Sequence, residues 1–429
     1  MVLSAMNSGV SGLRAESEAI SVVGDNIANV NTTGFKSQRA IFQDVLGHSI
    51  LAGTASALPG SGVKVGDIQQ LFTQGSLATT GVSTDLALSG DGFFTVKGAV
   101  DGLTGNFYTR AGTFNIDKDG FLVNPQGLEV QGYAANPDGT FQASISSIKV
   151  PTAALPAHAT ENATVVANLD ASEAVPALPF DVADPANTSN FSTTMTVYDS
   201  LGAGHTMDVY FEKTGAGAWN WHAVAKGDDV VGGTPGSNVE IGTGNLTFDT
   251  NGALTGVTGN TVTADFNGAT AGQAITINFG TPAPGGTGLD GVTQFASPEN
   301  VSSQSQDGYS SGDFSGVAVD GQGVVTGLYT NGQQLSVGQL AIAKFRSNDG
   351  LGRAGQNLWI ETRDSGTAAF GTAASGGRGA VSAGALEGSN VDLAEQFVGL
   401  IQHQRSFSAN SKTITTADEM LQELINIKR

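Results

Sequence analysis

A chain of 429 residues with 39 acidic against 19 basic side chains has a formal net charge of −20, a balance that repels nucleic-acid phosphates and anionic lipid and argues against both as partners. It contains no cysteine, so disulfide scaffolds, thiolate metal sites and a cysteine nucleophile are excluded together. The length points to two or three domains, and 60 glycines among only 14% charged residues point to turn-rich β structure.

From the start of the chain, apolar or small residues recur at Leu3, Met6, Val10, Leu13, Ser17, Ile20, Gly24 and Ile27 with spacings that alternate between three and four. That is the heptad seam of a helix. The same stretch has no basic start and no apolar run of signal-peptide length, and no later run is long enough for a bilayer. No membrane insertion is expected, and any export is expected to use a route without a cleaved signal peptide.

Beyond the first helix, period-two alternation and Gly-rich turns dominate. Asp117-Lys118-Asp119-Gly120, Asp249-Thr250-Asn251-Gly252 and Asp320-Gly321-Gln322-Gly323 each place Asp first and Gly fourth before an apolar strand start, which suits hairpin turns closed by a left-handed Gly. A separate outer β domain is expected over 146–282, entered through Pro151 and Pro156 and left through the Pro/Gly cluster at 281–286. Within it, Phe191, Met195 and Val197, then Met207, Val209 and Phe211, alternate with polar residues and predict a hairpin turned near Gly202. Treating this domain as an insertion leaves 71–145 and 283–365 as one discontinuous inner β domain. Segments 31–70 and 366–385 then connect it to a terminal helical assembly domain made of 1–30 and 386–429.

The last element carries a second seam: Leu393, Phe397, Leu400, Gln404, Phe407, Ser411, Ile414, Asp418, Leu421 and Ile425. Ser389-Asn390-Val391-Asp392 suits a capped helix start, and Lys428 with Arg429 suits the negative end of the helix dipole. The run from Ser406 to Thr416 is rich in poor helix formers, so both ends are expected to be weakly ordered alone and to become helical when neighbours bury their seams. The seam residues proposed for assembly are Met6, Val10, Leu13, Ile20 and Ile27 at one end and Leu393, Phe397, Leu400, Phe407, Ile414, Leu421 and Ile425 at the other. The fold class that follows is mainly β with long terminal α-helices, the two ends pairing as a coiled coil and the β domains facing outward.

Signals for chemistry are weak. Asp117-Lys118-Asp119-Gly120 opens like a calcium loop but lacks the later ligands. Gly308-Tyr309-Ser310-Ser311-Gly312 matches the nucleophile-elbow string without its strand and helix. His48, His158, His205, His222 and His403 are scattered without metal-ligand spacing. No catalytic residue, metal or cofactor is therefore expected. Trp219 and Trp221 share one face of a strand, where core or interface packing is the commoner outcome and a sugar-binding shelf the sharper alternative.

Several strings together resemble the bacterial flagellar rod and hook proteins. They are Asn26-Ile27-Ala28-Asn29-Val30-Asn31-Thr32-Thr33-Gly34-Phe35-Lys36, then Gln74-Gly75-Ser76-Leu77 with Asp85 to Phe94, then Tyr108-Thr109-Arg110-Ala111-Gly112-Thr113-Phe114. The C-terminal counterparts are Ala385-Leu386-Glu387-Gly388-Ser389-Asn390-Val391-Asp392 and Gln404-Arg405-Ser406-Phe407. The large middle domain and Ser311 to Val317 are similar to the hook branch of that family. The resemblance implies a non-enzymatic homopolymer, a flexible helical tube with terminal helices inside, carrying torque from rod to filament at the basal body and hook. It also implies, as partners, the distal rod protein, the hook cap protein, the hook–filament junction protein and the flagellar export apparatus. The alternatives are a distal rod protein of the same family and, from a different class, a secreted carbohydrate-binding β protein using Trp219 and Trp221.

Overall fold

A computed structural model describes residues 2–45 and 61–427 of the chain. They form mainly β structure bracketed by helices α1 (Val2–Ala28) and α3 (Leu393–Ile427), with one short helix α2 (Pro185–Thr188) between. The chain divides into two compact units, one of Met1–Thr152, Gly316–Leu328 and Gln334–Arg429, the other of Ala153–Ser315 and Tyr329–Gln333.

In the first unit, α1 ends at Ala28 and the chain turns back into an antiparallel ribbon, Gln38–Asp44 against Val63–Gln70, with a bulge at Ile41/Phe42. The unit's large sheet is built on the hairpin Phe93–Val100 with Leu103–Thr109, to which Glu129–Ala135 and Leu358–Ile360 add on either side. Aromatic side chains fill its core: Phe93 meets Trp359 at 5.5 Å between ring centroids, and Tyr108 meets Phe345 edge-on at 4.7 Å. Such offset and edge-to-face contacts add about 0.5–1.5 kcal/mol each beyond the burial of apolar area.

The second unit contains two sheets whose inner faces share one core. One is a five-stranded antiparallel meander running from Phe191–Tyr198 to Leu254–Thr258. The other orders Thr261–Ala264, Gln273–Asn278, Asn162–Asn168 and Asn300–Gln306, with Asn162–Asn168 parallel to Gln273–Asn278. The alternating residues behave as their period dictates. Met195 pairs with Met207, Phe191 with Phe211, and the turn passes through Gly202 at φ +83°.

The unit's limits differ from the 146–282 expected from the sequence. Ser146 still pairs with Gly132 in the first unit's sheet. At the other border, the Pro/Gly cluster is a turn inside the second unit, where the Ala283 N–H donates to the Leu254 carbonyl at 2.9 Å. The strand Asn300–Gln306 beyond it pairs with Asn162–Asn168, so the sheet is completed only after the apparent linker. A Pro/Gly run marks a change of direction, and here that change lies within a domain.

The three Asp-x-x-Gly turns share one geometry. Each Asp carboxylate accepts from the backbone N–H groups two and four residues on: Asp117 from Asp119 and Phe121, Asp249 from Asn251 and Ala253, Asp320 from Gln322 and Val324. Gly120, Gly252 and Gly323 sit at φ +88°, +83° and +78°, a conformation that a Cβ would strain.

Candidate assembly interface and its anchor

Helix α3 runs 35 residues, about 52 Å at 1.5 Å per residue. It is capped by Asp392, whose Oδ1 accepts from the Ala394 N–H at 2.8 Å and the Glu395 N–H at 3.3 Å. It packs antiparallel along α1. His403 Nδ1 lies 2.6 Å from Glu16 Oε2, and near the base of both helices Asn26 Nδ2 donates to Gln396 Oε1 at 2.9 Å.

The face that α1 buries is not the heptad seam read from the sequence. Its buried positions are Gly9, Gly12, Ala15, Ala19, Val22, Val23 and Asn26, whereas Met6, Val10, Leu13, Ile20 and Ile27 remain half-exposed. The two stripes are offset by about one residue, roughly 100° around the helix. Small side chains win the inner face because the backbones approach closely. A Cβ on Gly9 would lie 2.9 Å from Ile414 Cγ1, and one on Gly12 2.7 Å from Asn410 Nδ2. Both contacts are too short to tolerate without movement.

On α3 the seam is divided. Leu400, Ile414 and Leu421 are half-buried, while Leu393, Phe397 and Phe407 are 41%, 50% and 38% exposed. Ile401 and Met420 are exposed as well. The Ile425 side chain and the basic pair Lys428 and Arg429 lie outside the described residues. Burying a Phe or Leu stabilises by about 1.5–3 kcal/mol, so this row of apolar side chains in water is a driving force for association.

Below the helices lies a polar cluster that patterning did not single out. Lys36 and Glu387, each 0% exposed, form an ion pair at 2.6 Å, and Arg110 reaches the other Glu387 oxygen at 3.3 Å. Lys36 Nζ also donates to the Thr73 carbonyl at 2.7 Å, the Gly75 N–H donates to Glu387 Oε1 at 3.0 Å, and the Gly34 N–H donates to the Glu387 carbonyl at 2.7 Å. Beside it, Asn390 accepts from the Ser37 N–H at 2.7 Å and donates to the Leu71 carbonyl at 2.8 Å. Asn26 makes the same two-way contact with the backbone of Gln38, accepting at 2.9 Å and donating at 2.7 Å.

Burial pulls the Lys36 ammonium below its ordinary pKa, with the Glu387 hydrogen bond and charge pulling it back up. Desolvation likewise lowers Arg110, opposed by Glu387. The Arg110 guanidinium lies 5.4 Å from the Phe93 ring centroid, and its Nε has no acceptor among the described residues. Lys36, Gly75, Arg110 and Glu387 each come from one of the strings quoted for the family resemblance. The signal was present in the sequence, but only folding brings the four segments together.

The remaining candidates resolve as structure. Trp219 and Trp221 are both 0% exposed in the second unit's core, so the sugar-shelf reading is wrong: the strand's inward face is covered by the facing sheet. In the elbow-like string, Tyr309 exchanges backbone hydrogen bonds with His158 and stacks on its ring at 5.5 Å. His205 lies over Phe266, and His222 is stacked on Phe180 at 3.8 Å. No group of three or more His, Asp or Glu side chains able to hold a metal occurs among the described residues.

Four family models match in chain order. "Flagella basal body rod protein" covers residues 6–36 and "Flagellar hook protein FlgE/F/G D1 domain" covers 87–167. "Flagellar basal body protein FlaE D2 domain" covers 168–309 and "Flagellar basal body rod FlgEFG protein C-terminal" covers 382–427. The chain is 37% identical to the flagellar hook protein FlgE of Salmonella typhimurium over 98% of both chains. It is 36% identical to that of Escherichia coli over 99% of this chain and all of the relative, and 34% identical to that of Borreliella burgdorferi over the whole of both. The crystal structure of Helicobacter pylori flagellar hook protein FlgE2 shares the fold at TM-score 0.51 and 15% identity, covering 71% of this chain and 98% of that one.

Proposed function

The chain belongs to the flagellar hook protein family and is a structural subunit of the hook, and we propose that its terminal helices build the inner wall of the tube. In this reading Met6, Val10, Leu13, Ile20 and Ile27 of one subunit, with Leu393, Phe397, Leu400, Phe407, Ile414, Leu421 and Ile425, pack as coiled-coil-like seams against neighbouring copies. The β units face outward. Rotation of the rod is carried through the helical wall while the outer units accommodate bending by small sliding displacements. The subunit leaves the cell through the flagellar export apparatus without a cleaved signal peptide. Its tube contacts the distal rod protein at one end and the hook cap protein, then the hook–filament junction protein, at the other.

The observation that carries this reading is the exposed apolar row on α3, Leu393, Phe397 and Phe407, on a helix whose small-residue partner face is already filled. The test is Phe397→Ser/Phe407→Ser. Neither ring contributes to a buried core, so the variant is expected to melt like the parent yet form no sedimentable tubes. Parental tubes from this variant would remove the seam from the account. Among the described residues no helix is long and apolar enough to cross a membrane.

A further inference from the structure

We infer that the buried cluster of Lys36, Arg110 and Glu387 is a register key, which specifies how the two chain ends dock rather than adding to their stability, with Glu387 as its specificity-determining residue. The inference rests on the hook-subunit reading and names the device that makes its tube uniform.

The helix pair itself carries only part of the positional information, in the close approach of Gly9 to Ile414 and Gly12 to Asn410 and in the 2.6 Å contact of His403 with Glu16. Along α1 the buried face begins with Gly9, Gly12, Ala15 and Ala19 and widens only at Val22, Val23 and Asn26, and much of the apolar surface of α3 faces water. A slip by one heptad, about 10 Å, costs these contacts but strands no fully buried charge in the interior. Nothing comparable is possible at their bases. Lys36 lies eight residues beyond the end of α1 and Glu387 six before the start of α3. Arg110 follows directly on the central strand Leu103–Thr109, 277 residues away from Glu387 in the chain. Any slip separates the carboxylate from both cations and leaves three charges inside the protein without partners.

As a source of stability the cluster is poorly made. Three charged groups are withdrawn from water, desolvation is the leading influence on both cations, and Arg110 Nε is left without an acceptor. Buried ion clusters of this kind are commonly replaced by apolar side chains without loss of stability, whereas a buried polar group at a helix interface fixes register. Asn26, fully buried and held by Gln38 and Gln396, supports the same alignment from the helix side.

The test is Lys36→Met/Arg110→Met/Glu387→Leu in the full chain, followed by thermal unfolding and by electron microscopy of assembled polymer. The expected result is cooperative melting at or above the parental temperature, together with polymers of mixed diameter and pitch. Uniform parental tubes from the triple variant would overturn the inference. So would loss of cooperative melting, because the cluster would then be a net stabiliser. Glu387→Asp keeps the anion between its cations and is expected to form uniform tubes, and mixed polymers from it would also count against a charge-based key. Failure of the parent chain to form tubes would sink the hook-subunit reading instead.

Discussion

Glu387→Gln keeps the shape and one acceptor oxygen of the side chain and removes only its charge. It leaves Lys36 and Arg110, formerly 2.6 Å and 3.3 Å from the carboxylate, buried together with no anion between them. Removing one partner of a buried ion pair costs about 3–5 kcal/mol, and here two cations lose their partner at once. The Gly75 N–H can still donate to the amide oxygen, so that hydrogen bond does not add to the loss. At about 1.4 kcal/mol per factor of ten, hydrogen exchange across residues 34–38 and 385–390 of the free subunit should accelerate roughly 10²- to 4 × 10³-fold. Peptides from the second unit should be unchanged and serve as the internal reference. Acceleration below about fivefold, which is about 1 kcal/mol, would refute the claim that this carboxylate holds the junction closed.

Other predictions follow from the same contacts. Gly9→Val places methyl groups against Ile414, which is already within 2.9 Å of a Cβ there, and should raise the subunit concentration needed for assembly by about tenfold or more in light scattering. Trp221→Ala opens the core of the second unit and should destabilise it by about 3–5 kcal/mol in urea unfolding, with the helical circular dichroism signal unaffected. Acid should also weaken that unit. Burial alone would raise Asp307, but hydrogen bonds from the Asn162 and Glu161 backbone and the Asn162 amide hold it below the ordinary 3.8. Its folded pKa lies below its unfolded one, so its contribution is present above about pH 4 and is lost as pH falls through the folded value. Near-ultraviolet dichroism from Trp219 and Trp221 should therefore give a melting temperature that is flat above about pH 5 and falls below about pH 4, less steeply in Asp307→Asn.

The elements that announce themselves by periodicity were legible in the sequence. The hairpin through Gly202 and the three Asp-x-x-Gly turns follow from local rules, because side-chain alternation and a left-handed Gly act over a few residues. Helix α3 likewise starts at Leu393, directly after the capping residues read at Ser389 to Asp392, because a cap is also a local signal. What local patterning missed depends on distance. A heptad search ranks residues by size, so it selected Met6, Val10 and Leu13. The subunit instead buries Gly9, Gly12 and Ala15, whose value lies in letting another backbone approach. The Pro/Gly cluster at 281–286 looked like a domain exit because nothing local reveals that the strand Asn300–Gln306 returns to pair with Asn162–Asn168. Lys36 and Arg110 carry no spacing signal toward Glu387, which follows them in the chain by 351 and 277 residues. The family strings contained each of them without showing that they meet.

The central claim is that the apolar rows on the terminal helices are left for neighbouring copies to cover. Hydrogen exchange over 5–28 and 393–421, measured for the dilute subunit and again for the assembled tube, tests it most directly. The account predicts that both helices exchange readily in the subunit and become strongly protected in the tube, with residues 34–38 and 385–390 protected in each. Equal and strong protection of both helices in the two states would mean that a single chain already satisfies them, and would contradict it.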